Sequence, residues 1–328
     1  MMVLHVLMLS RFHYSGVMSH VLSLAAGLSR MGVKAVVIIT HCPSSYQEQL
    51  RRYQQHFPCF AESRPENILR LGRHYRVDLL HLHDLSLART AQRILQTLRI
   101  PCVATLHEEL SPAVNLSLLP GLAYLITPYP AARGIPPGLR HKLVFIPEGV
   151  DLESYRPAPK EGFKVTFIGE EGGFTAEGAT AFLKAAGLAD LELELICPQP
   201  LPLLKGRYHG WLLNSSAVLA GSQLVVGRYR GLLEGMACGN AALVLGRSYR
   251  GLFNPSPHAP GLPFPELSGE GEEPPCYRSI FFDLSSLLKD RALLESMQEQ
   301  GRKFVQENCD LRFVAEQTYR LYRHAAGR

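Results

Sequence analysis

Two apolar runs of this sequence end on histidines, at positions where an imidazole could take part in binding or catalysis. His81 and His83 close the run 77-VDLLHLH-83, and His107 closes 101-PCVATLH-107. An imidazole can hydrogen-bond a ligand hydroxyl without carrying a charge, and it is also a common metal ligand. These residues therefore predict either a polar binding site or a metal site.

The metal hypothesis has its own candidate ligands. His81 and His83 project from one face of a strand, Asp84 follows them, and Glu108 and Glu109 follow the second run. The sequence contains no second ligand motif, and CxxC pairs are absent from it. We therefore predict no metal site.

A third polar segment, 226-VGRYRGLLEG-235, combines charged residues with glycines. Glu234 stands near the junction of an apolar strand and a helix, where its carboxylate can accept hydrogen bonds from two ligand hydroxyls. Arg228 and Arg230 occupy the preceding turn, whose glycines and helix N-terminus suit a phosphate. Because the arginines are two residues apart, we expect them to point to different sides, so that only one reaches an anion.

Each of these residues also has a purely structural alternative. Glu234 could be a first-turn glutamate favoured by the helix dipole. The two arginines could be solvated loop residues, and His107 could be an ordinary histidine at a strand end. Gly16, which closes the loop 10-SRFHYSG-16, could bring its backbone close to a phosphate or simply form a turn.

Composition limits the classes of protein to which the chain can belong. Its 328 residues, 46% of them hydrophobic, can bury the cores of about two ordinary domains. A net charge of +5, with Lys and Arg scattered along the chain, does not indicate nucleic-acid binding. Seven cysteines without a CxxC pair favour a reducing cytoplasm over a disulfide scaffold or a zinc ribbon. The apolar runs are all shorter than the roughly 20 residues of a membrane span.

The order of the predicted elements indicates an α/β protein. Apolar runs typical of buried parallel strands alternate with segments of helical spacing over about the first half of the chain. A second series begins at 163-FKVTFIG-169, after the charged and proline-containing segment 151-DLESYRPAPKEG-162. Helical segments close the chain, with breaks near Lys289 and Asn308. In such sheets we expect ligands at the carboxyl ends of the strands.

An ordered set of segments resembles the retaining glycosyltransferases of family four, which have the GT-B fold. The resemblance implies two Rossmann-like domains facing across a cleft, with His107 and Glu234 on opposite walls. It implies an acceptor-side domain over 1–155, a nucleotide-sugar donor domain over 156–308, and a C-terminal helix, 309–328, that returns to the first domain. The segments that match are 15-SGVMSHVLSLAAGLSRMGVKAVVIIT-40, 77-VDLLHLHD-84, 101-PCVATLH-107, 144-VFIPEGVDLESYRP-157, 164-KVTFIG-169, 234-EGMACGNAALV-244 and the closing helices.

The resemblance also implies roles for individual residues. His107 is similar to the family's active-site histidine near the 6-hydroxyl of the transferred sugar. Glu234 is similar to the glutamate that accepts hydrogen bonds from the donor ribose. Gly16 and Gly169 are the glycines expected beside the donor.

Three positions depart from the pattern of that family. Val226 stands where the motif has its first glutamate, and Glu170 and Glu177 stand where an Arg and a Lys-Gly pair usually hold the donor diphosphate. A diphosphate leaving group needs positive charge or N–H donors near it. We therefore assign this role to the turn that carries Arg228 and Arg230.

The sequence thus predicts a cytoplasmic glycosyltransferase that takes a UDP- or GDP-type nucleotide sugar as its donor, needs no cofactor, and retains the anomeric configuration. The predicted acceptor is a glycan, a lipid or a small molecule; peripheral contact with a membrane is compatible with this prediction, and nucleic acid is not an expected partner. A catalytically inactive GT-B protein that binds a nucleotide or glycan as a regulator is the alternative, favoured by the two glutamates at the diphosphate positions. A metal-dependent hydrolase is the third hypothesis.

Overall fold

The chain forms two compact units, each built around its own β-sheet. The first comprises Met1–His13, Val17–Gly149 and Leu311–Arg328, and the second comprises Tyr14–Gly16 and Val150–Asp310. The computed structural model describes residues 3–107, 116–129, 135–169, 176–201, 205–255, 267–269, 271 and 273–327.

Seven parallel strands form the sheet of the first unit, in the order β3-β2-β1-β4-β5-β6-β7. The strand order changes direction at β1, which pairs with β2 on one side and with β4 on the other. The central strands are apolar runs buried on both faces, as expected for a parallel sheet covered by helices. The strands are β1 (His5–Arg11), β2 (Lys34–Thr40), β3 (Cys59–Ala61), β4 (Leu79–Leu82), β5 (Cys102–Thr105), β6 (Leu122–Thr127) and β7 (Leu143–Phe145).

Helices connect the first strands of this sheet. The first helix buries apolar residues at helical spacing, including Met18, Val21, Leu22 and Ala25, which explains its packing on the sheet. A short 3-10 turn, Leu85–Leu87, leads into the fourth helix. The helices are α1 (Gly16–Arg30), α2 (Ser44–Tyr53), α3 (Pro65–His74) and α4 (Ala88–Leu98).

Six strands form the sheet of the second unit, in the order β10-β9-β8-β11-β12-β13. All pairs are parallel except the last, because β13 runs antiparallel to β12. The strands are β8 (Lys164–Ile168), β9 (Glu192–Ile196), β10 (Gly206–Tyr208), β11 (Leu224–Gly227), β12 (Ala241–Leu245) and β13 (Tyr249–Leu252). The helices are α5 (Ala176–Leu188), α6 (Ser216–Ala220), α7 (Tyr229–Ala237), α8 (Tyr277–Lys289) and α9 (Arg291–Asn308).

Two glycines bring α7 unusually close to the sheet of the second unit. A Cβ atom at Gly235 would lie 2.3 Å from Cγ1 of Val225 in β11. A Cβ atom at Gly231 would lie 3.2 Å from side-chain atoms of Ile168 at the end of β8. The helix that follows β11 is therefore held against the two central strands, β8 and β11.

The last helix, α10 (Leu311–Ala325), packs within the first unit. It contacts β5 and β6, and small residues allow its close approach. A Cβ atom at Gly27 in α1 would lie 3.1 Å from Cβ of Ala315, and one at Gly149 would lie 3.0 Å from Cα of Leu311. Tyr322 of this helix is fully buried. Through these contacts α10 packs against α1 and against Gly149, the last residue of the long segment of the first unit.

The α/β prediction is confirmed by the two sheets, of which the first is parallel and the second is parallel except for β13. One local prediction is wrong: α7 begins at Tyr229, so Glu234 lies in the second turn of the helix and not in its first turn. Favourable interaction with the helix dipole is confined to the first turn and therefore does not explain Glu234. Among the described residues, every helix is too short or too polar to cross a membrane.

Candidate active site

A cluster of histidines lies at the carboxyl edge of the first sheet. His83 directly follows β4 and His107 follows β5 within two residues, and these strands are neighbours. His20 joins them from the second turn of α1. One ring nitrogen from each of the three side chains lies within 4.8 Å of the others. This edge, beside the change of strand order at β1, is where ligands bind in open α/β sheets.

Glu148 anchors the cluster from the end of the sheet, after β7. Its side chain is 3% exposed. Oε1 lies 3.3 Å from Nδ1 of His107 and 3.9 Å from Nδ1 of His20, and Oε2 accepts a hydrogen bond of 2.9 Å from the hydroxyl of Tyr129. A carboxylate only accepts, so Nδ1 of His107 carries a proton, which leaves Nε2 as the nitrogen with the lone pair in this tautomer.

The protonation of His107 determines that of His83. Nδ1 of His83 lies 3.3 Å from Nε2 of His107 and must be the donor to that lone pair. Nε2 of His83 then keeps its own lone pair, and this buried atom has no hydrogen-bond partner among the described residues. Burial and the neighbouring imidazoles of His81, His20 and His107 hold the pKa of His83 well below its usual value. The ring is therefore neutral and keeps a lone pair on its unpartnered nitrogen.

His81 lies beside the cluster but is fully engaged elsewhere. Its Nδ1 is hydrogen-bonded to the hydroxyl of Tyr322 in α10, and its Nε2 is 2.7 Å from Oγ1 of Thr105. Burial, followed by the proximity of His107, lowers the pKa of His81 to about 3. His81 is thus a neutral structural residue that links β4, β5 and α10.

The structure assembles a different group of residues from the one in the metal hypothesis. Asp84 accepts hydrogen bonds of 2.8 Å from Nε2 of His13 and from the backbone N–H of Ser86, and so caps the 3-10 turn before α4. Glu108 and Glu109 lie outside the described residues. The sequence analysis missed His20 and Glu148, which complete the observed cluster.

In the second unit, Glu234 forms a buried ion pair on α7. Its Oε1 accepts a hydrogen bond of 2.8 Å from Nε of Arg230, and its Oε2 accepts one of 3.0 Å from Oγ of Ser215. Glu234 is 5% exposed and Arg230 is 1% exposed. A carboxylate can accept about four hydrogen bonds, so these two partners orient it without saturating it by themselves. Arg230 is therefore a side chain that holds Glu234 in place.

Arg228 has a different environment from Arg230. It is half-buried, has an extended backbone and precedes the first residue of α7. Its guanidinium carbon lies 5.1 Å from the ring centre of Tyr229, whose backbone is left-handed with φ of 46°. The preceding Gly227 has φ of 157°, and a Cβ atom there would lie 2.8 Å from the carbonyl oxygen of Ile168. The turn thus places the half-buried arginine, and not the buried one, beside the helix N-terminus.

The remaining candidate residues occupy several environments. Gly169 directly follows β8, and its N–H donates a hydrogen bond of 2.9 Å to the carbonyl of Ile196. Gly16 is the first residue of α1. Glu177 is exposed in the first turn of α5, whereas Glu170 lies outside the described residues. Val226 is a buried apolar residue of β11.

The N-terminal part of the chain matches a known family. Residues 14–154 match the sequence model of Glycosyltransferase Family 4. This range contains the whole histidine cluster together with Tyr129 and Glu148. A search of curated proteins finds no match to the chain.

Solved structures match both units of the chain. A glycosyltransferase from Rickettsia africae ESF-5 matches with a TM-score of 0.71 at 13% identity, over 98% of this chain and 98% of the other. Anabaena Alr3699/HepE in complex with UDP-glucose matches with a TM-score of 0.71 at 14% identity, over 96% and 98%. Sucrose-phosphate synthase from Thermosynechococcus elongatus matches with a TM-score of 0.64 at 14% identity, over 97% and 98%. These similarities show the GT-B fold, which confirms the predicted fold class.

Proposed function

We propose that this protein, a GT-B chain whose residues 14–154 match the model of Glycosyltransferase Family 4, transfers a sugar from a nucleoside diphosphate donor to an acceptor with retention of the anomeric configuration. One observation supports the donor side of the proposal. The buried carboxylate of Glu234, which Arg230 orients on α7, follows a turn that places Arg228 at the N-terminus of the same helix. One short segment of the chain then contains both the residue for the ribose hydroxyls and the residue for the diphosphate. Anabaena HepE, a protein of the same fold, is known in complex with UDP-glucose.

Glu234 is the residue that we assign to the donor ribose. Arg230 and Ser215 hold its carboxylate at the carboxyl edge of the second sheet, and a carboxylate at such an edge can accept hydrogen bonds from the two ribose hydroxyls. Its burial strengthens these hydrogen bonds, because water competes poorly there. The role is thus one of binding and orientation.

Arg228 is the residue that we assign to the diphosphate. The side chain is half-buried, and the N-terminus of α7 adds N–H groups and a positive dipole end. Positive charge at this position stabilises the charge that develops on the leaving diphosphate. Gly169 directly follows β8, whose last residue, Ile168, contacts this turn at Gly227. Its lack of a side chain suits a close approach of the donor to the backbone.

His107 is the residue that we assign to the transferred sugar. Glu148 fixes its tautomer, so that Nε2 is an acceptor, and a sugar hydroxyl can replace the long contact of 3.3 Å that this nitrogen makes with Nδ1 of His83. Gly16 opens α1 near the same edge of the first sheet and offers backbone N–H groups to the donor phosphates. No cofactor is needed for this chemistry.

The acceptor is a glycan, a lipid or a small molecule, and the donor is a UDP- or GDP-linked sugar. Seven free cysteines, five of them buried, suit the reducing cytoplasm in which we place the protein. The composition does not indicate nucleic acid as a partner.

Donor binding is tested by thermal shift and calorimetry with UDP, GDP and the corresponding nucleosides. We expect UDP or GDP to raise the melting temperature. Glu234→Ala removes a charged hydrogen-bond acceptor, worth about 1.5 to 3 kcal/mol, and should lower the affinity roughly 10- to 100-fold. Glu299→Ala, an exposed glutamate on α9, is the matched control and should bind like the wild type. Equal affinity of the folded Glu234→Ala variant and the wild type would remove Glu234 from the donor site.

Turnover is tested with UDP- and GDP-sugars by following release of the nucleoside diphosphate. The anomeric configuration of the product, read by proton NMR immediately after transfer, tests retention. An inverted product would contradict the mechanism while leaving transfer itself intact.

One observation favours a second candidate, a catalytically inactive nucleotide- or glycan-binding regulator. Glu177 is exposed in the first turn of α5, where the resemblance places a cation that holds the diphosphate. A carboxylate there opposes a phosphate through charge repulsion. Tight nucleotide binding without hydrolysis or transfer of any nucleotide sugar would support this regulator and contradict the enzyme.

A further inference from the structure

We infer that His20, His83 and His107 form a binding site for a divalent transition-metal ion of the zinc type. One ring nitrogen from each lies within 4.8 Å of the other two. The site lies within the first unit, and its existence does not depend on the proposed transfer reaction. An ion on Nε2 of His107 would occupy the atom that we assign to the sugar hydroxyl, so the ion and the sugar exclude each other at this nitrogen. This inference differs from the expectation from the sequence, which was that the chain has no metal site. We assign no hydrolytic activity to the ion.

The spacing of the imidazoles suits a tetrahedral ion. Two nitrogens bound to one tetrahedral zinc at ~2.1 Å lie about 3.4 Å apart. Nδ1 of His83 and Nε2 of His107 are 3.3 Å apart, farther than the roughly 2.9 Å of a typical hydrogen bond. The ring centres of His20 and His107 are 4.9 Å apart, and one nitrogen of His20 lies within 4.8 Å of a nitrogen of each of the other two rings, so the third imidazole stands beside the same position.

His83 can use Nδ1 as its ligand atom, because Nδ1 faces Nε2 of His107. Neutral imidazole binds a metal through the ring nitrogen that lacks the proton. The proton of His83 then lies on Nε2, and no described residue donates a hydrogen bond to that buried nitrogen, so this tautomer is open to the ring.

The charge of the cluster also favours a cation. Glu148 is 3% exposed, and its carboxylate contacts Tyr129, His107 and His20 but no Lys or Arg side chain in the described part of the chain. A buried carboxylate without a positive partner is strongly unfavourable. A divalent ion among the three imidazoles supplies the positive charge at close range.

Glu148 stands where metal sites usually have an outer carboxylate. Metal-binding histidines commonly donate their second ring N–H to such a group, which fixes the tautomer and makes the ring a better ligand. Nδ1 of His107 makes this contact with Glu148 at 3.3 Å, leaving Nε2 for the ion. Glu148 is thus a positioning residue, and the fourth coordination position is left for water or another small ligand.

The wild-type protein provides the primary test. The full chain is stripped with a chelator and titrated with Co²⁺, without any nucleotide sugar. We expect one Co²⁺ per chain, the intense visible absorption of tetrahedral cobalt, and its loss when Zn²⁺ displaces the cobalt. Failure of the wild type to take up Co²⁺ or Zn²⁺ would overturn the inference and leave the proposed transfer reaction untouched.

Variants then locate the site. Glu148→Gln should weaken Co²⁺ binding roughly 10- to 100-fold, the usual cost of losing an outer carboxylate, and His20→Ala should weaken it more. His141→Ala removes an exposed histidine of the same unit and should bind like the wild type. Far-UV circular dichroism checks folding, and His20→Asn provides a second variant of the same ligand. Wild-type affinity in both folded His20 variants would contradict the site.

Discussion

Arg230 and Glu234 form an ion pair in the interior of the second unit, with 2.8 Å between Nε and Oε1. They are four residues apart on α7, and the two side chains are 1% and 7% exposed. Ser215 donates to the other carboxylate oxygen. Because each charge is the buried partner of the other, the arginine has a structural role that an exposed loop arginine would not have.

Removal of Arg230 alone should strongly destabilise the second unit. Arg230→Ala leaves the Glu234 carboxylate buried without its cation, and breaking a buried pair in this way costs about 3 to 5 kcal/mol. The free energy of unfolding is measured by urea denaturation with the fluorescence of Trp211, which is buried in the same unit and is the single tryptophan of the chain. The double variant Arg230→Met/Glu234→Leu removes both charges and should cost less than Arg230→Ala. A loss below ~1 kcal/mol for Arg230→Ala would contradict the pairing.

Replacement of Arg228 should instead affect the ligand. Arg228→Ala should weaken binding of UDP or GDP far more than binding of uridine or guanosine, because only the diphosphate needs the guanidinium. A charge-assisted hydrogen bond of about 1.5 to 3 kcal/mol corresponds to roughly a 10- to 100-fold loss of affinity. Calorimetry with each nucleotide and nucleoside measures the difference.

Arg207 provides the control for this comparison. It is an exposed residue of the edge strand β10, and Arg207→Ala should leave both affinities unchanged. Parallel losses for nucleotide and nucleoside in Arg228→Ala would show that the arginine supports the fold of the turn and does not contact the diphosphate.

The close approach of α7 to its sheet should make Gly235 intolerant of substitution. In Gly235→Ala the new Cβ would lie 2.3 Å from Cγ1 of Val225, so the helix or the strand must move. Overpacking of this kind costs about 1 to 3 kcal/mol. Gly221→Ala, where the nearest atom would be 3.7 Å away, should stay within about 0.5 kcal/mol of the wild type. Equal stability of the two variants in the Trp211 fluorescence assay would show that the packing is looser than the structure indicates.

The sequence predicted the fold well because the central strands of both sheets are buried on both faces. Such strands must be apolar runs, and these alternate clearly with helical spacing. The elements that escaped prediction lie mainly at the sheet edges. β3 and β10 have three residues each, and β13 contains an arginine and a glycine, so none shows a strand pattern.

The candidate site was predictable only where residues follow strands. His83 and His107 stand at the ends of apolar runs, which marked them. His20 lies among the buried apolar residues of α1, where the helical pattern gave no reason to single it out. Glu148 follows a short strand at the far end of the sheet, and only the fold brings it to His107. Likewise, the pairing of Arg230 with Glu234 depends on the start of α7 at Tyr229.

Stability of the first unit should fall as the pH falls from 7.5 to 5, because of the buried histidines. Burial lowers the pKa of His81 to about 3 in the folded state, against an unfolded value near 6.5. Below about pH 6.5 the unfolded chain therefore binds a proton that the folded chain does not, and the free energy of unfolding decreases. The contribution is fully present above pH 6.5 and declines until the pH reaches the folded pKa. At pH 5 it amounts to a loss of about 2 kcal/mol relative to pH 7.5.

Hydrogen exchange of the β4 and β5 amides measures this effect, because Trp211 reports only on the second unit. His81→Gln removes the titrating group. Between pH 7.5 and 5 the free energy of protection should therefore fall by about 2 kcal/mol less in this variant than in the wild type. The variant also loses the hydrogen bond to Tyr322, which lowers its stability at every pH. His141→Gln, an exposed histidine, should keep the wild-type dependence on pH. After correction for the intrinsic exchange rate, a wild-type pH dependence in His81→Gln would assign the effect to His83 instead, whose burial has the same sign. Protection that does not change over this range in the wild type would contradict the neutral, buried state of both rings.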